Sequence, residues 1–277
     1  MLVWALATAG AGAAAAAAWA LFESQWVELE TVELPLPGLA PELDGLRILH
    51  LSDFHLGKRS LNGRALEKAV AWAEARDTDL VAVTGDLVTR RRGEPALERA
   101  VARLRARHRV FAVLGNHDVH ESRDPFGERT DAAAALGAVL LSDSAVSVEL
   151  RGVRLQVAGV DPGSYMRRRA RAWELADSAA ALRILLCHFP GVVDRLPPGA
   201  FHLVLAGHTH GGQICVPFPG GKLRLEHLGA RYWEGLYRPP AAALHVSRGL
   251  GTSFVPFRFL ARPQATELVL RGRLTTS

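Results

Sequence analysis

The sequence predicts an α/β domain of two packed mixed β-sheets flanked by helices, preceded by one apolar N-terminal helix. Three observations carry this. From residue 46 onward, short continuous apolar runs alternate with amphipathic helical stretches; between 138 and 161 the runs shorten and only turns separate them; and residues 1–22 hold no charged side chain. With 277 residues, 49% of them hydrophobic, the chain can bury a substantial core as one large domain with a small appendage.

The elements follow in chain order. Residues 1–22, MLVWALATAGAGAAAAAAWALF, would rise about 33 Å as a helix, enough for a hydrocarbon core of about 30 Å. That length predicts a single-span membrane anchor. A signal peptide is the alternative, although only the α-amino group could supply its positive n-region. Neither flank offers Lys or Arg, so the side of the membrane is unread, while Trp19 and Trp26 would sit at interface level. Residues 23–45 form a connector and edge strand, with VELETVELP alternating apolar and acidic positions before several prolines. Beyond them, 46–51, 79–85 and 109–115 are buried-strand runs. The helical patterns at 61–76 and 95–107 lie between them, which implies right-handed crossovers and a largely parallel sheet. Residues 138–161 suggest antiparallel strands, 173–182 a helix, and 182–188, 201–208, 241–246 and 265–271 further strands.

The formal charge is +5, yet residues 1–46 contain six acids and no Lys or Arg, leaving 33 bases against 22 acids in the remainder. Such a domain would draw in an anionic substrate or an anionic membrane surface. Nucleic acid fits less well: no basic run is interleaved with aromatics, and the densest patch, Arg167, Arg168, Arg169 and Arg171, reads as a solvated loop. The two cysteines, Cys187 and Cys215, give neither a disulfide framework nor a thiolate metal site.

The residues just beyond each apolar run carry the chemistry. After LRILHLS come Asp53 and His55; after LVAVT, Gly85 and Asp86; after VFAVL, Gly115, Asn116, His117 and Asp118; after RILLC, His188; after LVLA, Gly207, His208 and His210. Carboxyl ends of parallel strands converge on one crevice, so five runs ending in metal-capable side chains predict one metal site. In extended backbone, residues i and i+2 point the same way, so Asp53 with His55, and His208 with His210, would each offer two ligands to one spot.

These segments resemble the calcineurin-like metallophosphoesterase superfamily, whose motif series D-x-H, GD, GNH[DE], H and GHxH is intact and in order over roughly residues 45–271. LSDFHLG, VTGDLV, VLGNHD, LAGHTHGGQ and VSRGLGTSFVPFRF look like a membrane-associated bacterial branch. That branch includes periplasmic or wall-associated phosphodiesterases and a UDP-2,3-diacylglucosamine pyrophosphatase. The resemblance implies an α/β/β/α sandwich, with residues 46–277 as the catalytic domain. It also implies two divalent ions, one held by Asp53, His55 and His210 and the other by Asn116, His188 and His208, with Asp86 bridging. The family pattern thus divides His208 and His210 between the ions. Carboxylate, amide and imidazole donors without thiolate suit Mn²⁺ first, with Fe²⁺ or Zn²⁺ also accommodated.

By the same resemblance His117 is the substrate-facing histidine that would protonate the leaving oxygen or stabilise charge there, and Asp118 either orients it or holds a turn. Lys58, Arg59 and Arg248 are candidate contacts to substrate phosphate. The expected function is hydrolysis of a phosphodiester or pyrophosphate bond at a membrane, on a lipid-linked substrate such as UDP-2,3-diacylglucosamine. A nuclease or nucleotide phosphodiesterase on the same site is the alternative. A noncatalytic metal-binding scaffold is disfavoured, because no motif residue has been lost. Tyr232, Trp233, Tyr237, Phe254, Phe257 and Phe259 make the late loops aromatic, as core packing or as a lipid-facing rim.

Overall fold

The computed structural model describes residues 2–120 and 127–272, with the backbone alone for residues 2–9 and 13. The strands are β1 (Glu28–Pro35), β2 (Arg47–Leu51), β3 (Leu80–Thr84), β4 (Arg109–Val113), β5 (Val139–Leu140), β6 (Ser144–Leu150) and β7 (Val153–Gly159). They continue as β8 (Leu182–Leu186), β9 (Leu203–Ala206), β10 (Cys215–Phe218), β11 (Gly221–Arg224), β12 (Gly235–Tyr237), β13 (Ala243–Val246) and β14 (Gln264–Arg271). The helices are α1 (Leu2–Glu23), α2 (Asn62–Glu74), α3 (Glu94–Arg105), α4 (Ala132–Leu136) and α5 (Pro162–Met166).

One sheet runs β1-β14-β2-β3-β4-β5 and the other β12-β13-β9-β8-β7-β6, with β10 and β11 forming a separate hairpin. Both large sheets are mixed. In the first, only β14 against β2 is antiparallel. In the second, the antiparallel pairs β12–β13 and β6–β7 flank a parallel centre. β1 is the edge strand, running parallel to β14 from Glu28↔Gln264 to Pro35↔Arg271.

The central strands read as unbroken apolar runs because each buries both faces. Ile48, Leu80, Ala82, Phe111 and Val113 meet Leu155, Val157, Ile184, Leu203 and Leu205 in the layer between the sheets. Their neighbours one residue along, Leu49, Leu51, Val81, Val83 and Ala112, pack instead with Leu66, Val70, Leu97 and Val101 of α2 and α3. Leu185, Val204, Leu244 and Val246 cover the far side of the second sheet with Val192, Val193 and Phe201. At about 1.5–3 kcal/mol for each large aliphatic side chain buried, the period-two sorting locks strand register. The loop at the end of each strand is thereby fixed in place.

Two expectations change. Where the sequence led to a helix at 173–182, the chain makes one 3₁₀ turn, Ala172–Leu175. Asp177 stops it: its N–H donates to Gln156 Oε1 at 2.9 Å, its Oδ1 accepts from the Ala179 N–H at 2.9 Å, and its Oδ2 lies 2.6 Å from Arg154 Nη2. Those bonds displace helical ones. At the N-terminus α1 forms, but the expected anchor over 1–22 falls in part, at residues 1–9 and 13, outside the described side chains. Among the described residues no helix is long and apolar enough to cross a membrane. The described part of α1 is mostly alanine, whose methyl carries little transfer free energy. Its last turn belongs to the domain: Glu23 and Ala20 are buried, Glu23 Oε1 accepts the Ala261 N–H at 2.7 Å, and the Ala20 carbonyl accepts the Arg258 N–H at 3.2 Å.

Candidate dimetal site

The loops leaving β2, β3, β4, β8 and β9 meet at one rim. Asp53, His55 and His210 bring ligand atoms within 4.8 Å of one another there, as do His55, Asp86 and His117, and again Asp86, His188 and His208. Asp86 joins the groups: its Oδ2 is 3.3 Å from His188 Nε2, 3.6 Å from His55 Nε2 and 3.9 Å from His117 Nε2. His55 Nε2 and His210 Nε2 are 3.1 Å apart, and so are His188 Nε2 and His208 Nδ1.

His208 and His210 therefore belong to different clusters, against the i, i+2 argument. The physical reason is the backbone. His208 and His210 have φ of 75° and 51°, and Asp53, His55 and Asp86 have 54°, 45° and 53°. The chain is not extended at these residues, so alternation does not apply. Left-handed backbone costs a non-glycine residue roughly 1–2 kcal/mol, and strain of this kind gathers where surrounding structure enforces a functional geometry.

Second contacts orient the rings. His188 Nδ1–H donates to the Thr84 carbonyl at 2.8 Å, and because a carbonyl only accepts, Nε2 is left free toward Asp86. His55 Nδ1 faces Thr89 Oγ1 at 3.1 Å, and the Asp86 Oδ1 accepts the His117 N–H at 2.9 Å. Asp53 accepts the His208 N–H at 3.2 Å. The motif glycines admit these approaches: a Cβ at Gly207 would strike Ser52 Oγ and Asp53 Oδ2, and one at Gly115 would strike Asp86 Oδ1.

Burial holds His55, His208 and His210 well below the usual imidazole range, in the neutral form that a metal needs. Burial would lower His188 too, but the Asp86 carboxylate outweighs it and pushes His188 up to about 9. Burial alone would raise Asp86, yet His188 and His117 beside it hold it well below the usual carboxylate range.

The donor set fits a metal pair. Asn116 Oδ1 is buried with no hydrogen-bond partner, an orphan that costs about 1–3 kcal/mol unless a cation takes its lone pair. Imidazoles, carboxylates and one amide oxygen, without thiolate, suit borderline divalent ions.

The remaining candidates separate. His117 sits in the site, its ring 4.6 Å from that of His55. Asp118 is a clasp for its loop: its carboxylate accepts backbone N–H groups of Gly115 and Leu87 at 2.9 Å and of Val88 at 3.1 Å. Arg248 is committed to acids, with Nη2 2.5 Å from Glu28 Oε2 and Nη1 3.5 Å from Glu234 Oε2. Lys58 and Arg59 line a cavity of about 350 Å³ beside Phe254. A second cavity, about 520 Å³, opens at His208 between Phe189, Tyr165 and Tyr232.

Sequence reasoning missed Arg258. It is fully buried, and its guanidinium donates to the carbonyls of His210 (3.2 Å), Ala261 (2.9 Å), Arg248 (2.7 Å) and Gly251 (3.0 Å from Nε), with Nη2 3.2 Å from His210 Nδ1. Gln213 was also missed as an anchor. Its Oε1 accepts the Ser253 N–H at 2.8 Å and its Nε2 donates to the Ser253 carbonyl at 2.9 Å. Together they lock the C-terminal loop against the histidine loop. The only sequence signal was a base and an amide inside otherwise apolar or glycine-rich motifs.

The sequence profile of the calcineurin-like phosphoesterases matches residues 46–212. The chain belongs to this family. YkoQ, an uncharacterised metallophosphoesterase of Bacillus subtilis strain 168, is 27% identical, over 87% of this chain and 89% of its own length. A transmembrane protein with a metallophosphoesterase domain from Bos taurus is also 27% identical, over 87% of this chain but 56% of its own. The solved structure of TT1561 from Thermus thermophilus is 16% identical, with a TM-score of 0.44 over 74% of this chain and 90% of that one. As a calcineurin-like phosphoesterase the chain is a hydrolase of phosphate esters with a dinuclear metal-binding site.

Proposed function

We propose that this calcineurin-like phosphoesterase hydrolyses a phosphodiester or pyrophosphate bond at a lipid surface, on a lipid-linked substrate of the UDP-2,3-diacylglucosamine kind. The carrying observation is Asp86, one carboxylate shared by histidines from both sheets, with the unpartnered Asn116 Oδ1 in the adjoining loop. Asp53, His55 and His210 would hold one ion and Asn116, His188 and His208 the other, with Asp86 placed to serve both, and Mn²⁺ is the first choice. When bound, such a pair supplies Lewis-acid polarisation of the phosphoryl group and a water of lowered pKa. The chain's own residues do the rest. His188 and His55 are held ring-on by Thr84 and Thr89, so no reorientation is needed at reaction. His117, fixed by its N–H on Asp86, meets the leaving oxygen.

Support for the lipid surface comes from exposed aromatics. Trp19, Phe22 and Trp26 pack together with centroids 5.6–6.1 Å apart while each stays more than 40% exposed. The hairpin β10–β11 adds exposed Phe218 and Leu223, and its Cys215 N–H donates to the Phe259 carbonyl at 2.8 Å, in the segment that also bonds the end of α1. Aromatic side chains of this kind favour the headgroup level. The bovine relative is named a transmembrane protein.

The full chain, loaded with Mn²⁺, Fe²⁺ or Zn²⁺, should hydrolyse bis-p-nitrophenyl phosphate, and with UDP-2,3-diacylglucosamine in mixed micelles it should release UMP. No turnover of either substrate by protein with measured bound metal would sink the enzymatic reading. Turnover of the first without the second would sink the lipid-linked one.

A further inference from the structure

The cavity of about 520 Å³ at His208 has the size of sites for small organic molecules, roughly 300–1,000 Å³. Its aromatic wall is fastened to the metal ligands. The Phe189 ring meets His188 and His208 steeply tilted, with centroids 5.1 and 4.7 Å away and interplanar angles of 78° and 63°. Tyr165 stacks on Phe189, 4.6 Å away and 10° from parallel, and the Arg195 guanidinium lies 4.1 Å over the Tyr165 ring. The rim is formed by the segment that follows β11. His227 takes left-handed backbone, φ 52°, and its exposed ring lies 4.5 Å from that of His208. This segment is tied down: the Leu225 N–H donates to the Ile214 carbonyl at 2.9 Å and the Ala230 N–H to the His227 carbonyl at 2.7 Å. The cavity is thus formed before an occupant arrives, which spares the cost of ordering it.

The lining selects the occupant. Its charged side chains Asp194 and Arg231 serve each other: Asp194 Oδ1 accepts from Arg231 Nη1 at 3.2 Å and from the Tyr232 hydroxyl at 2.8 Å. An uncharged group therefore suits the space better than a second anion. Phe189, Tyr165 and Tyr232 present ring surfaces and edges, against which another flat ring packs in offset or edge-on geometry. Leu228, 73% exposed at the rim, would be taken out of water by such a group. Because the cavity opens at a metal ligand, its occupant would hang from the phosphorus held there. With His117 meeting the leaving oxygen, that occupant is the group the phosphorus retains.

We propose that this cavity seats a flat ring, an aryl group or nucleobase, carried by the substituent that stays on the attacked phosphorus. Resting on the phosphoesterase reading, it narrows the substrate class to esters in which the retained side bears such a ring and not a bare alkyl chain.

Three diesters of equal charge and identical leaving group test it: the thymidine 5′-, ethyl and octyl esters of p-nitrophenyl phosphate. The full chain loaded with Mn²⁺ should favour the thymidine ester over either of the others at least about tenfold in kcat/KM. Gly229→Trp should bring both ratios near one, because Gly229 lines the cavity and nothing beyond its chain neighbours lies within 4 Å of where its Cβ would stand, so the indole can enter. If that variant fails to fold, Leu228→Ala, at an exposed side chain, should lower the ratios about threefold. Equal rates for the thymidine and ethyl esters, a preference for the octyl ester, or ratios unmoved by the folded variants would overturn the proposal. Calorimetry decides independently of turnover: thymidine 5′-monophosphate should bind at least about tenfold more tightly than ethyl phosphate, with the difference erased in Gly229→Trp. Equal binding of the two, or a difference that survives the substitution, overturns it. A failure of the phosphoesterase reading shows separately, as no hydrolysis of bis-p-nitrophenyl phosphate.

Discussion

His50 and His245 lie enclosed between the sheets, their Nδ1 atoms 2.7 Å apart and His50 Nε2 2.9 Å from Thr84 Oγ1; three residues beyond His50, Asp53 begins the cluster at the sheet rim. Both groups bring together histidines from the two sheets, yet they differ in their partners and in their backbone. In the interior pair the rings serve each other: one Nδ1 donates to the other, and Thr84 Oγ1, which meets His50 Nε2, donates onward to Ser52 Oγ at 2.8 Å. At the rim an amide oxygen has none, a carboxylate is shared by histidines of both sheets, and five residues take left-handed backbone. Burial of imidazole alone does not mark a site. An orphaned acceptor, enforced strain and a shared carboxylate do.

The largest test of that contrast is Asp86→Asn. Losing the shared charge should lower bound metal below two ions per chain, by elemental analysis, and cut kcat/KM on the order of a thousandfold. His50→Gln should leave two ions bound. If the two variants bind metal alike, the distinction fails.

Next is Arg258→Met. It strands several buried carbonyls that the guanidinium now serves, and should lower unfolding free energy by about 3–5 kcal/mol in urea titrations. Arg258→Lys, with three donors instead of five, should recover part of this. A loss under about 1 kcal/mol would mean that the loops are held by other contacts. His117→Ala comes third: hydrolysis should slow about a hundredfold or more while metal content stays at two ions. Loss of metal instead would make His117 a ligand.

Much of this architecture was legible in the chain. Apolar runs such as LRILHL and LVAVT have no polar face, so they could only be strands covered on both sides, and ligands placed just after them had to share a rim. What stayed hidden is contact between distant segments. His50 falls inside a strand, and nothing local says that it meets a residue 195 positions later. Arg258 reads as one more base among aromatics, and its burial depends on five carbonyls, those of His210, Arg248, Gly249, Gly251 and Ala261. The division of His208 from His210 was legible in the motif resemblance but not in spacing, because residue spacing predicts direction only where the backbone is extended, and here it is not.

The smallest effect separates the two histidine groups by pH. Burial keeps His50 well below the imidazole range, and burial together with Arg248 lowers His245 to about 3, so neither takes up a proton near neutrality. His188 behaves oppositely, raised to about 9 despite burial because Asp86 is beside it. In the metal-free chain the stability from the raised His188 is therefore complete below about pH 6.5, so long as Asp86 stays ionised, and drains away as pH rises through about 9. Metal must displace the His188 proton, so apparent affinity should rise up to about tenfold per pH unit between pH 7 and 9 and level off above. Calorimetric titration with Mn²⁺ at pH 7 in two buffers of different ionisation enthalpy should show about one proton released per chain, from His188, when the pair is filled. Zero release would mean that His188 is already neutral and that the rim, like the interior pair, holds only uncharged rings.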